Sequence, residues 1–334
     1  MLPRRDAKTG GEIVENYDVS VIIPVYNAEK YLPECIESVL NQTKDRIQIV
    51  MVDDQSTDGS YECAARYAEK YPNILLLKNP VKGVINARIL GLKNASGKYI
   101  GWVDSDDFID PGMYEKLFCL AEENGADLTY CNTSFYPKPV KGKSRWFKEY
   151  RGEKDWHFLE RNTQCTNKLF LRAYAEKIEL ERLYSVLDEY ANLALLLKTD
   201  KIAYTCEELY RYRVGIQSVS GGSFKGKTGR FVHFAECSSR LVEELSNGDK
   251  ELEEYLEYKS IYSRLQVLIV SSVNADKEVY RKYRAELKQM KFRKNRLAKT
   301  ILDANHGKLK SFVLRNAVTA GYGAARIVTG IVYR

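Results

Sequence analysis

Apolar residues fall first in short unbroken runs and later in longer periodic stretches. Val19–Pro24 (VSVIIP) and Ile47–Val52 (IQIVMV) have the length and β-branched content of strands buried on both faces. Ile74–Leu77, Tyr99–Val103 (YIGWV) and Asp127–Cys131 predict three further strands. The segments between them read as helices. Glu29–Gln42 places Leu32, Ile36, Val39 and Leu40 at helical spacing. Asp58 is expected to cap a helix running to about Tyr71, and Val84–Ala95 is a third helix. Pro111 suits the first position of a fourth, through about Glu123.

Strands that alternate with helices of this length imply a parallel sheet covered on both faces. Such sheets bind ligands at the carboxyl ends of their strands. Past residue 137 the pattern loosens. Residues 137–165 predict loops with one or two strands, Leu169–Ala175 and Glu189–Leu197 predict helices, and Ala203–Arg213 predicts strand and turn. A loop over Val214–Thr228 precedes helices at about Phe231–Leu245, Lys250–Val273 and Lys277–Leu302. The expected organisation is an extension over 1–16, an α/β domain over 17–228 and a helical region over 229–334.

With 334 residues, 44% of them apolar, the chain has ample material for a sizeable core. Its seven cysteines form no CxxC pair and its three histidines no paired-ligand spacing, which argues against a thiolate or histidine metal site. No apolar run reaches the length of a membrane span, and the first residues match neither a signal nor a transit peptide. The cytoplasm is therefore the expected compartment. The net charge of +7 is uneven: Arg281–Arg334 holds 14 Lys and Arg against two acids, which leaves residues 1–280 at −5. Beyond the basic stretch, Phe312–Tyr333 is apolar. Together they fit peripheral contact with an anionic leaflet such as the inner face of the plasma membrane, or equally a helical pair that packs on the domain or makes a homo-oligomer. No nucleic-acid recognition motif accompanies the charge.

Acids stand where the sheet should bind. The second strand ends in Asp53-Asp54, and the fourth in Asp104-Ser105-Asp106-Asp107. Bunched carboxylates repel unless a cation or donor compensates. A hard divalent ion, Mg²⁺ or Mn²⁺, does so with one or two Asp, water and phosphate oxygens. The plainer reading is a solvated turn and helix cap. The buried strand before it, the Pro-started helix after it and the matching acid pair favour the metal.

Val19–Thr43 (VSVIIPVYNAEKYLPECIESVLNQT), Ile49–Ser60 (IVMVDDQSTDGS) and Ala87–Leu117 (ARILGLKNASGKYIGWVDSDDFIDPGMYEKL) resemble glycosyltransferase family 2 in order and spacing over about a hundred residues. The likeness continues more weakly through Thr166–Leu169, Leu187–Leu193 and Tyr210–Ser220. It implies an α/β GT-A fold, a parallel-rich sheet flanked by helices with a mostly helical C-terminal region. It also implies a nucleotide-sugar donor, with a UDP-sugar favoured, and inversion at the anomeric carbon. A glycan or lipid-linked glycan would accept the sugar in surface polysaccharide synthesis. By the same resemblance, Pro24 and Tyr26 line the nucleobase, Asp54 contacts base or ribose, and Arg88 lies near the uridine or diphosphate. Asp104 lies near the ribose, Asp106 binds the metal, and Asp107 lies near sugar or metal.

An inverting displacement also needs a base for the acceptor hydroxyl. The family's base is the Asp of a Glu-Asp pair, with Asn four residues on. Asp188 with Asn192 fits that offset, and Glu189 is the substitute candidate because Leu187 replaces the Glu. A helix cap is the alternative for Asp188. Two other departures are Ile89 for the Asn after Ala-Arg, and Gln55 for the Gly after the acid pair. Either Arg213 or Arg211 is a candidate for the diphosphate, against a plain surface ion pair. The rival enzyme, a nucleotidyltransferase, would need a Gly-rich basic loop where Pro24-Val25-Tyr26-Asn27 stands. A non-catalytic scaffold or sugar-binding subunit of a polysaccharide assembly complex is the rival from another class.

Overall fold

β1 (Val19–Val25) and β2 (Ile47–Asp53) are buried along their whole length, as their continuous apolar runs require. The computed structural model describes residues 17–137, 164–186, 188–214, 226–246 and 248–290, with 159 and 300; the side chains at 184–190, 241 and 242 fall outside the description. The chain divides into two compact units at Gly215–Ile216.

In the first unit, β1 lies between β2 and β4 (Tyr99–Trp102), parallel to both, and β2 pairs in parallel with β3 (Ile74–Lys78). The remaining strands are β5 (Phe108–Ile109), β6 (Leu128–Tyr136), β7 (Lys168–Leu171) and β8 (Ile202–Arg213). They complete one eight-stranded sheet in the order β3-β2-β1-β4-β7-β6-β8-β5. The sheet is mixed rather than wholly parallel: β7 runs antiparallel to β4 and β6, and β5 antiparallel to β8. Its helices are α1 (Leu32–Leu40), α2 (Ser60–Lys70), α3 (Val84–Asn94), α4 (Met113–Asn124), α5 (Arg172–Lys177), α6 (Leu180–Val186) and α7 (Asp188–Leu197).

The five strands and four helices expected before residue 137 are present. In α1, Leu32, Cys35, Ile36 and Val39 are buried at i, i+3, i+4 and i+7. Burial of each larger apolar side chain contributes about 1.5–3 kcal/mol. Gly101 lets α4 approach β4: a Cβ there would lie 2.6 Å from the Tyr114 ring. Asp58 sits one residue before the N-cap Gly59, and its carboxylate accepts from the Ser60 amide at 3.0 Å.

Two expectations are corrected. Leu169–Ala175 was expected to be a helix; Lys168–Leu171 is strand β7, and only Arg172 starts a helix. A four-residue apolar run carries no decisive period, and pairing with β4 and β6 settles it. Ala203–Arg213 forms no turn. It belongs to the single twelve-residue strand β8, which follows β6 through two register shifts.

In the second unit, α8 (Thr228–Leu245), α9 (Lys250–Val273) and α10 (Lys277–Gln289) pack together. α9 is buried almost all round, and Asp249 caps it by accepting from the Glu251 and Leu252 amides. A cleft of about 460 Å³ among these helices is lined by Ser239, Glu257, Ser260, Arg264, Glu286, Gln289 and Met290. The expected helix over Lys277–Leu302 is described through Gln289; its remainder and the apolar tail lie outside the described residues. Among the described residues, no helix is long and apolar enough to cross a membrane.

Candidate functional site

Because β1, β2 and β4 are parallel neighbours, their carboxyl ends lie side by side. They deliver Tyr26, Asp53-Asp54 and Asp104–Asp107 to one edge of the sheet. The loops that follow are fastened to each other. Asn27 Oδ1 accepts the Thr57 amide at 2.8 Å, the Ala28 amide donates to Ser60 Oγ at 2.8 Å, and Glu29 Oε2 accepts the Gly59 amide at 3.0 Å.

Pro24 is buried within β1, so Tyr26 is the first residue of that strand end to reach solvent. Lys82 Nζ lies 4.3 Å from the Tyr26 ring centroid and donates to its hydroxyl at 3.0 Å. Asp54 is buried, and its Oδ1 accepts from Asn79 Nδ2 at 2.6 Å and the Gly83 amide at 2.7 Å. Gly83 has φ +135°, a conformation that favours glycine. Asp54 thus holds the 79–83 loop in place beside Tyr26.

The acids after β4 differ sharply in their surroundings. Asp104 Oδ1 pairs with Arg88 Nη2 at 3.0 Å, and the Arg88 side chain is nearly buried. Asp107 is 1% exposed; its Oδ2 accepts from the Tyr210 hydroxyl and its Oδ1 from the Arg213 amide, each at 2.7 Å. Burial, with Asp104 and Asp106 adding to it, pushes the Asp107 carboxyl up to about 8. Asp107, expected near sugar or metal, fastens this loop to β8 through its carboxylate. Asp106 differs from both. Its carboxylate is held by its own backbone amide rather than by a side chain, and burial first, then Asp104, raises its pKa above the usual range.

Arg213 also serves this loop. Its Nε donates to the Asp106 carbonyl at 2.8 Å, and Nη2 donates to Glu34 of α1. Its guanidinium lies 4.9 Å from the Tyr31 ring, 5.2 Å from Phe108 and 5.3 Å from Tyr136. Arg211 points elsewhere, to Ser134 Oγ at 2.6 Å and Asp110 at 3.3 Å. Trp102 is fully buried against Phe170.

A divalent cation fits Asp106: a half-buried carboxylate, raised by burial and by the neighbouring Asp104, is what a hard cation would stabilise. No group of three or more potential ligands occurs among the described residues. Water and diphosphate oxygens would therefore supply the other ligands.

Asp188 opens α7, and Asn192, one turn on, is buried. The Asp188 and Glu189 side chains, and Leu187, lie outside the described residues. Sequence reasoning missed Tyr210, Asn79 and Glu34. The alternation Tyr210-Arg211-Tyr212-Arg213 was the available signal for Tyr210: on one strand face, Tyr210 and Tyr212 turn away from Arg211 and Arg213.

A family model described as glycosyl transferase family 2 matches residues 20–178. Glycosyltransferase GlyA of Streptococcus pneumoniae is 30% identical over 294 residues, which cover 81% of this chain and 40% of that protein. The minor teichoic acid biosynthesis protein GgaB of Bacillus subtilis is 29% identical over 273 residues, covering 78% and 30%. The chain thus spans less than half the length of these two relatives. An uncharacterized glycosyltransferase of Haemophilus influenzae is 34% identical over 211 residues, covering 62% of this chain and 83% of its own. Among solved structures, residues 1–349 of S. aureus TarS superpose with a TM-score of 0.63 at 20% identity, covering 93% of this chain and 88% of that one. The same TarS fragment has been solved with UDP-GlcNAc. The sheet order, the flanking helices and the helical C-terminal region are those of a GT-A-like fold. On the matches of sequence and family model, this chain belongs to glycosyltransferase family 2.

Proposed function

We propose that this protein is a metal-dependent, inverting glycosyltransferase that moves a sugar from a nucleoside-diphosphate sugar to an acceptor hydroxyl in surface-polymer synthesis. The observation that carries the reading is the state of Asp106: a half-buried carboxylate beside Asp104, raised in pKa by burial and by that neighbour, at the joined ends of parallel strands. Tyr26 and the loop held by Asp54 form the base side of the donor site, and UDP is the favoured nucleotide. The UDP-GlcNAc complex of TarS and the name of GgaB support the donor and polymer classes.

Asp106 would hold Mn²⁺ or Mg²⁺ with diphosphate oxygens, and the ion would offset the charge that develops on the leaving diphosphate. Arg88 brings a second positive charge to the same side. Arg213 fixes the backbone of the Asp106 loop, so the carboxylate is presented in one place. Asp188 takes the proton from the acceptor hydroxyl as it attacks the anomeric carbon. The catalytic domain in this reading is 17–228, with 229–334 as a helical appendage, and the enzyme works in the cytoplasm.

The test is calorimetric titration of UDP, then GDP, with and without Mn²⁺, on wild type and Asp106→Ala. Metal-dependent binding of one nucleotide, lost in the variant, is expected. Asp188→Asn should keep that binding and lose turnover. A folded protein that binds neither nucleotide would falsify the assignment.

A further inference from the structure

His233 and Cys237 stand one turn apart on α8, at the i and i+4 positions of one face. Ala235 and Ser238, across the helix, are buried. His233 is exposed and Cys237 half-buried. Counting cysteines and histidines separately hides this mixed pair, and the helix brings the two together.

The two side chains meet. Cys237 Sγ lies 3.6 Å from His233 Nε2 and 3.9 Å from Nδ1. Cys237 is a free thiol, and neither side chain has another hydrogen-bond partner among the described residues.

The shorter separation is that of a chelate. Zinc binds thiolate sulfur at about 2.3 Å and imidazole nitrogen at about 2.0–2.1 Å. At a tetrahedral angle those two bonds hold sulfur and nitrogen about 3.5–3.6 Å apart. An ion therefore fits between Sγ and Nε2 with little movement of either side chain.

The donor set also selects the ion. Thiolate and imidazole suit zinc, whereas a hard cation such as Mg²⁺ prefers the carboxylate and phosphate oxygens of the Asp106 site. Glu236 adjoins Cys237 in sequence, but its Oε1 is taken by Lys282 at 3.2 Å and the Tyr283 hydroxyl at 3.4 Å. Water is left to complete the coordination.

We propose that His233 and Cys237 form a two-point zinc site on the solvent face of α8, with water in the remaining positions. Binding forms one metal–sulfur and one metal–nitrogen bond and releases the thiol proton to solvent. The site is separate from the donor site and takes a cation of the opposite preference.

The experiment titrates the metal-free full chain with Co²⁺, a spectroscopic stand-in for zinc. Wild type is expected to develop a thiolate-to-cobalt absorption in the near ultraviolet that Zn²⁺ bleaches and Mg²⁺ leaves in place. Cys237→Ser should abolish it. His233→Ala should weaken Co²⁺ binding at least about ten-fold, since loss of even an outer partner of a metal site costs that much. Both substitutions fall on the solvent face, and circular dichroism checks that each variant keeps its helices. Asp106→Ala should keep the absorption, so this site and the donor site are read apart and either can fail alone. An absorption that survives in Cys237→Ser belongs to another thiol and overturns the site, as does wild-type affinity in His233→Ala. So does a wild type with no such absorption, which would leave the pair as an S–H···N hydrogen bond only.

Discussion

The Tyr210 hydroxyl donates a hydrogen bond to Asp107 Oδ2 at 2.7 Å and accepts one from the Asp104 amide at 3.2 Å. One buried side chain from β8 thus clasps the acidic loop at both ends, and Asp106 is the carboxylate left between. Tyr210→Phe would strand both groups, each buried or partly so. The expected cost is about 1–3 kcal/mol of stability, read from denaturant midpoints, with weakened Mn²⁺-dependent UDP binding. Asp106→Ala should lose the same binding with little loss of stability, because it removes a carboxylate that burial and Asp104 disfavour. A Tyr210→Phe protein with wild-type stability and wild-type UDP binding would show the clasp to be irrelevant.

Arg88 and Asp104 make the second test. The guanidinium reaches Asp104 from a nearly buried stem on α3, so its geometry is fixed by packing. Lysine keeps the charge but not the planar fork. Arg88→Lys should therefore weaken UDP binding by about ten-fold or more, as loss of a charge-assisted hydrogen bond implies. Binding kept within two-fold (roughly) in Arg88→Lys would mean that the charge alone matters.

What the sequence made legible is local. The runs at Val19–Pro24 and Ile47–Val52 announce buried strands by composition, and the acids that end them need only strand order to become neighbours. Tyr210 could not be assigned that way. Its contact with Asp107 spans about a hundred residues and depends on β8 folding beside β5 and β6, with two register shifts that no periodicity records. The strand β7 was misread because its apolar residues are too few to show a period. Its identity comes from the two strands it joins.

The Gln55 departure has a backbone signature. Gln55 has φ +63°, a left-handed conformation at the position where the family carries glycine. Its Nε2 compensates by donating to the Asn79 and Pro80 carbonyls at 3.3 and 3.4 Å. Gln55→Gly should leave stability within about 0.5 kcal/mol, strain relief offsetting the lost bonds and the freer unfolded chain. Gln55→Val, branched at Cβ, should cost about 1–2 kcal/mol. Urea denaturation of the two variants decides it: equal midpoints would remove the strain argument.

Lys168 makes one contribution to stability that depends on pH. It is fully buried, its ammonium donates to the Gln164 carbonyl at 2.5 Å and Asn167 Oδ1 at 2.9 Å, and burial pulls its pKa from 10.5 to about 7. The folded value lies below the unfolded one, so between these pH values the unfolded chain holds a proton that the folded chain has released. Stability from this group must therefore rise with pH across that window, with a slope of up to about 1.4 kcal/mol per pH unit. Below pH 7 both states are protonated and the slope vanishes. Lys168→Met removes the titrating group and should flatten that rise, while relieving the cost of the buried charge near neutral pH. Denaturant midpoints of wild type and Lys168→Met, compared from neutral to mildly alkaline pH, check the sign. Parallel curves would mean that the Lys168 amine titrates alike in the folded and unfolded chains.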